Sequence, residues 1–182
     1  MSTVRDAIAA RRSYSRVSTD APSHDELLPL VEAAARVADH GALRPWRLIE
    51  LRGNARERLG DALVAASGQQ VGADPRMAAK PLRAELLIAV VASRRASHKV
   101  AIWEQDATAA GVAHLLSLLL DEAGWGVMWR TGPLTRSAPV RALHELAETE
   151  ELLGWLYVGG VPADAKPGIR LSIDPDEYIS AL

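Results

Sequence analysis

The chain of 182 residues carries 23 acidic against 21 basic side chains, a net charge of −2, with 48% hydrophobic and 24% charged residues. That is the balance of one globular domain with a sizeable core, and it leaves no basic footprint for nucleic acid or an anionic membrane surface. The absence of cysteine excludes disulfides, cysteine-ligated zinc and thiol catalysis.

In chain order, Thr3–Arg12 reads as a helix with Val4, Ala7, Ile8 and Arg11 on one side. Arg5 and Asp6 stand where a secretory leader needs an apolar core, so a cytoplasmic protein is expected. Ala21-Pro22 punctuates the chain, and Ser23-His24-Asp25-Glu26 is a capping box opening a helix whose Leu27, Leu30, Val31 and Ala34 share a face. Arg44-Pro45 ends this region, and Trp46–Leu51 alternates like a strand. Gly53-Asn54 turns into a helix over Ala55–Ala66, and Ser67–Pro75 has the composition of a mobile loop.

Leu86–Ala92 is a continuous apolar run, the pattern of a buried strand. It and Leu115–Leu120 are both too short to span a bilayer. Trp103–Ala123 predicts a long helix closed by Gly124, apolar nearly all round, which should run through the centre of the molecule or of a dimer. Trp125–Trp129 reads as a strand, Pro139–Ala147 as a helix and Leu153–Val158 as a strand ending at Gly159-Gly160. The tail from Val161 to Leu182 is apolar enough to lie across a surface, of this or a neighbouring subunit. The expectation is one α+β domain over residues 1–182 with four or five short strands. With five Trp and no Phe, each Trp is expected to carry much of the packing.

Three segments hold side chains suited to chemistry. Arg11-Arg12-Ser13, with Arg16 close behind, follows the first helix; it reads either as cations on a helix C-terminus or as a phosphate clamp of planar guanidinium donors. Asp39-His40 leads a polar loop into Arg44-Pro45-Trp46, better read as a recognition surface than as a metal site. His24, His40, His98, His114 and His144 show no ligand spacing. Trp129-Arg130-Thr131-Gly132-Pro133 leaves a strand with donors beside an aromatic body, which suits a flat heteroaromatic ligand. Neither Gly-rich nucleotide fingerprint occurs, and no serine stands in a nucleophile motif, so no catalytic side chain is assigned. Glu148, Glu150 and Glu151 read as solvated, and Glu104 and Asp106 as favourable charges on a helix N-terminus.

Taken in order, these segments resemble the flavin-dependent nitroreductase family. Arg11-Arg12-Ser13-x-x-Arg16 is similar to its RRSxR opening, and Arg36 through His40 into Arg44-Pro45-Trp46 to its helix, loop and PW strand. Gly124-Trp125-Gly126-x-x-Trp129-x-x-Gly132 resembles its GLGxxWxxG segment, and Leu156-Tyr157-Val158-Gly159-Gly160-x-Pro162 its closing strand and turn. Asp39-His40, His98-Lys99-Val100 and Trp103-Glu104-Gln105 resemble the short, minimal bacterial subgroup. The resemblance implies a nitroreductase-like α+β fold: a small, mostly antiparallel sheet flanked by helices, in an intertwined homodimer with a long central helix.

It further implies FMN sites shared between the subunits, NAD(P)H as electron donor, and ping-pong hydride transfer to a small organic acceptor such as a nitroaromatic or quinone. A flavin-binding protein with little reductase turnover is the alternative. By position, Arg11 and Ser13 would face the phosphate and ribityl end, with Arg12 nearer the ring. Arg36 and His40 would reach the FMN held mainly by the other subunit. Trp129, Arg130, Thr131 and Gly132 would line the isoalloxazine, a main-chain N–H there meeting N5, and Leu119 to Gly124 would meet the nicotinamide. Lys166 and Arg170 are candidates for the phosphate. The family's PSSxNxQPW loop stands here with Ala42 in place of its Asn and Arg44 in place of its Gln.

Overall fold

A computed structural model describes residues 3–166, 168 and 171–182. Its helices are α1 (Val4–Ala10), α2 (His24–Ala34), α3 (Asn54–Ala66), α4 (Pro75–Ala78), α5 (Ile102–Glu122) and α6 (Ala138–Leu143). Its strands are β1 (Trp46–Leu51), β2 (Leu86–Ser93), β3 (Trp125–Arg130) and β4 (Glu150–Gly160). The four strands form one sheet in the order β1-β2-β4-β3, antiparallel throughout.

The continuous apolar run of β2 has a simple cause: the strand is second in the sheet and is covered on both faces. Leu86, Ile88 and Val90 face a core shared with Leu27 of α2 and Val112, Leu116 and Leu120 of α5. Leu87, Ala89 and Val91 face a second core with Leu59 and Leu63 of α3 and Val140 of α6. Every β2 residue from Leu86 to Ala92 is at most 1% exposed. Burial on that scale contributes roughly 1.5–3 kcal/mol for each large aliphatic side chain.

Helix ends follow the capping chemistry. Ser23 and Glu26 make the reciprocal box that starts α2, and Thr3 with Asp6 does the same for α1. The helix expected over Pro139–Ala147 closes at Leu143, because Glu145 turns left-handed at φ 51. Strand β4 starts at Glu150, earlier than the expected Leu153. The long helix is present as expected, but within this chain it buries one stripe, Gln105 to Leu120, and leaves Ile102 and Trp103 exposed. The tail lies open in this chain, with Leu171, Ile173, Tyr178 and Ile179 all exposed; its Pro167, Ile169 and Arg170 lie outside the described residues.

Two local devices position the site. Between Val90 and Val91 the β2–β4 register slips, because Val90 faces Gly154 while Val91 faces Leu152. The resulting bulge has Gly154 at φ 140, a conformation that side-chain-bearing residues avoid. The second device is a trench of glycines. The Tyr14 N–H donates to the Val127 carbonyl at 3.0 Å and the Ser18 N–H to Gly160 at 2.8 Å. A Cβ on Gly159 would lie 2.7 Å from the Ser18 carbonyl oxygen, and one on Gly126 3.0 Å from Val17. Gly126, Gly159 and Gly160 thus let the segment after Arg11-Arg12-Ser13 lie directly on β3 and β4.

Candidate functional site

A cavity of about 550 Å³ opens where β3 ends, and Trp129, Arg130, Thr131 and Gly132 all line it. Its floor is aromatic, from Trp155 and Tyr157 of β4, and Leu63 and Met77 add apolar wall. Arg130 lies over Tyr157, 5.1 Å from the ring centroid, and donates to the Ser15 carbonyl at 3.3 Å. Burial pushes the Tyr157 phenol pKa up, so it stays neutral at physiological pH. Trp129 sets its ring edge-on to His114, centroids 5.1 Å apart.

Two polar atoms here are buried and lack an acceptor among the described residues: Trp129 Nε1 and Arg130 Nε. A buried donor left unsatisfied costs about 1–3 kcal/mol. Trp129 Nε1 packs against the bulge glycine Gly154, where a built Cβ would lie 2.8 Å from it, so β4 seals it from the cavity.

Lys80 and Arg83 also line this cavity, and the sequence motifs pointed to neither. They stand three apart in the 3-10 turn Lys80–Arg83 that enters β2, and i and i+3 side chains of such a turn project together. The cavity therefore has aromatic and aliphatic walls and three cations, Lys80, Arg83 and Arg130.

A second cavity of about 270 Å³ is lined by Arg12, Ser13, Ser15, Arg16 and Lys166, among others. Arg12 stacks 5.1 Å from the Tyr14 centroid and donates to the Lys166 carbonyl. Arg16 pairs with Asp164 at 2.8 Å, both well exposed, a contact of little energetic weight in water. Ser15 lines this cavity and accepts from Arg130 of the first, so the two cavities meet at that hydrogen bond. Arg11 points elsewhere, to a hollow of about 170 Å³ shared with Ser13, His114 and Trp129. Of the two C-terminal candidates, Lys166 reaches the second cavity; Arg170 lies outside the described residues.

Arg36 and His40 line none of these cavities. Arg36 is exposed beyond α2. His40 Nδ1 lies 2.8 Å from Glu104 Oε2, and Glu104 also accepts from the Ala101 N–H at 3.0 Å. The His40 contact, first among its causes, holds the Glu104 carboxyl below its ordinary range. Asp39 accepts from the N–H groups of Leu43 and Arg44, at 3.2 and 2.7 Å. It thereby braces a loop in which Gly41, Ala42 and Arg44 take φ of 78, 51 and 47. Ala42 and Arg44 are thus held in a region that residues with side chains seldom enter.

Besides Glu104, three more carboxylates, two expected to be solvated and one to favour a helix dipole, have ion-pair partners. Glu150 is 7% exposed and bound by Arg47. Asp106 takes a two-pronged contact from Arg94, at 2.8 Å for each bond, and Arg94 also reaches Glu151 at 3.1 Å. Among the described residues no helix is long and apolar enough to cross a membrane.

The nitroreductase family model matches residues 8–160, a span that holds both glycine devices and every cavity-lining residue named above except Lys166. The chain is 32% identical over 173 residues to an Escherichia coli (strain K12) protein named "Putative NAD(P)H nitroreductase YdjA", covering 93% of this chain and 94% of that one. It is 27% identical to a Haemophilus influenzae protein named "Putative NAD(P)H nitroreductase", over 96% of this chain and 97% of the other. Among solved structures, a nitroreductase-like family protein from Bacillus cereus superposes with TM-score 0.83 at 20% identity, over 100% of this chain and 97% of that chain. The FMN and NADPH-dependent nitroreductase NfnB of Sphigopyxis sp. strain HMH superposes with TM-score 0.75 at 19% identity, over 100% and 99%.

Proposed function

Because the chain belongs to the nitroreductase family, we propose that it is an FMN-dependent oxidoreductase that carries reducing equivalents from NAD(P)H to a small organic acceptor. The observation that carries this reading is the cavity at the end of β3, with its aromatic walls and three cations. Its volume of about 550 Å³ is that of a site for a small organic ligand or cofactor. Bound FMN supplies the hydride-carrying ring, so that NAD(P)H and the acceptor are used in turn, in ping-pong order.

The residues of the chain then divide the work. Arg11 and Ser13, which share one hollow, hold the dianionic phosphate and the ribityl chain, for which guanidinium forks are the matched donors, and Arg12 stands nearer the ring. Trp129 to Gly132 would flank the ring, and a main-chain N–H of that segment would be the donor to its N5. Lys80, Arg83 and Arg130 favour an anionic reduced ring over a neutral one, by placing positive charge where negative charge develops. The segment from Leu119 to Gly124, at the end of α5, is the proposed nicotinamide contact.

A homodimer completes the proposal. Arg36 and His40 stand away from the cavities of their own chain, as they must if they serve a partner's cofactor. Val4 and Ile8 of α1, Ile102 and Trp103 of α5 and the apolar tail are all exposed in one chain, more apolar surface than a monomer usually leaves open. Sedimentation is expected to give a mass near twice the 19.6 kDa of one chain.

Purified protein is expected to be yellow or to take up added FMN, and to lose its flavin band on anaerobic mixing with NADH or NADPH. Protein that takes up no FMN overturns the reading. Protein that holds FMN but is bleached by neither nicotinamide is a flavin carrier or sensor and not a reductase. Arg11→Ala is expected to weaken FMN by about tenfold or more, since a charge-assisted contact contributes about 1.5–3 kcal/mol. Fluorescence titration checks this, and an unchanged affinity removes Arg11 from the phosphate site.

A further inference from the structure

Trp155 forms part of the large cavity's wall, and behind it lies a residue that neither the motifs nor the cofactor assignment uses. The Trp155 indole N–H donates to His144 Nε2 at 3.0 Å, and His144 Nδ1 lies 2.8 Å from the Val140 carbonyl oxygen. Only the neutral imidazole with its proton on Nδ1 satisfies both contacts. His144 and Trp155 are 4% and 5% exposed, with ring centroids 5.8 Å apart. Burial, the larger cause, and the charge of Arg47 push the imidazole pKa down, which keeps Nε2 free to accept.

Filling this part of the core needs only an aliphatic side chain; fixing an indole edge needs an acceptor. Trp155 follows the bulge glycine Gly154 and faces Arg130 across the ladder. Its indole therefore stands between the second core and the cavity, beside a cation assigned above to the ring. Released from His144, the indole would carry an unpaired N–H in an apolar setting, while the ring itself borders the cavity.

We propose that His144 is a positioning residue for the cofactor ring: by accepting the Trp155 indole N–H it holds that indole in the wall and keeps the cavity open to a flat ligand. This inference rests on the reading of the cavity as the ring site.

The test compares His144→Leu, which removes the acceptor, His144→Gln, whose amide oxygen can replace Nε2, and Trp155→Phe, which removes the donor together with part of the ring. In the apoprotein, the Trp155 indole N–H is expected to resist solvent exchange in wild type and His144→Gln and to exchange readily in His144→Leu. With FMN added, His144→Leu is expected to bind about tenfold more weakly and with a shifted flavin absorption band, about the loss that one broken buried hydrogen bond produces. His144→Gln is expected to restore both.

Wild-type affinity and band in His144→Leu, or no rescue by glutamine, overturn the proposal. If His144→Leu does not fold, Trp155→Phe decides: an unchanged affinity and band overturn it equally. Wild-type protein that takes up no FMN, yet protects the indole N–H, sinks the ring-site reading and this inference with it. FMN uptake with the same affinity in all four proteins sinks this inference alone.

Discussion

Gly154→Ala is expected to lower the unfolding free energy by about 3 kcal/mol and to loosen FMN in the same variant. Two costs add. An alanine at φ 140 occupies a region that glycine alone enters freely, a strain of about 1–3 kcal/mol. Its Cβ would also strike the Arg130 carbonyl and lie 2.8 Å from Trp129 Nε1 and 3.0 Å from Thr131 Cγ2, and overpacking of this kind costs about 1–3 kcal/mol more. The groups it strikes belong to three consecutive residues of the cavity rim, so relief of the clash must displace the proposed ring site. Urea unfolding measures the first effect as a lower midpoint at constant slope, and FMN titration the second. A loss below about 1 kcal/mol would show that the bulge can relax without moving β3.

The same bulge marks where sequence reasoning stops. Alternation located β1 to the residue, and the unbroken apolar run located β2, because both signals are carried by neighbours a few residues apart. Gly154 carries no such signal: its conformation is dictated by an extra residue in β4 measured against β2, a pairing between strands distant in sequence. Trp129 and Arg130 could be read as site residues because they stand in a motif, whereas Trp155 sits in an ordinary hydrophobic strand and Lys80 and Arg83 in an unremarked turn. Their shared cavity exists only after the sheet brings β3, β4 and the Lys80–Arg83 turn together. Glu150 was misread for the same reason. In a polar stretch it has every local mark of a solvated carboxylate, and its partner lies on another strand, in β1. Arg36 and His40 show a further limit, since their proposed role belongs to a second copy of the chain.

Glu150 also sets how the fold should fail in acid. Arg47 grips it with both prongs, Nε to Oε1 at 2.7 Å and Nη2 to Oε2 at 2.8 Å, and the Ala147 N–H adds a donor at 3.1 Å. The Arg47 hydrogen bonds, the largest cause, hold the Glu150 pKa down from an ordinary 4.5 to about 2. A depressed carboxylate stabilises the fold fully above its unfolded pKa and loses that contribution as pH falls through its folded value. Stability should therefore decline between about pH 4.5 and 2. The full shift would correspond to roughly 3 kcal/mol, and with Arg47 side chain 37% exposed solvent screening reduces the expectation to about 2 kcal/mol.

Arg47→Met is expected to cost about 3 kcal/mol at neutral pH, because it strands a buried carboxylate, and to flatten the decline below pH 4.5. Arg47→Met combined with Glu150→Leu should recover most of the loss, since an apolar pair replaces an ion pair at little net cost. Chemical unfolding across pH decides: an acid slope that persists unchanged in Arg47→Met would assign it to other carboxylates. The consequence reaches the proposed site as well. Arg47 Nη2 also donates to the carbonyls of His144 and Glu145, at 3.3 and 3.4 Å, so it braces the chain just where α6 ends and His144 meets Trp155. Arg47→Met should thus weaken FMN binding at neutral pH through His144. Glu150→Gln, which keeps an acceptor for Arg47 and leaves those carbonyl contacts in place, should lose the acid slope and keep FMN.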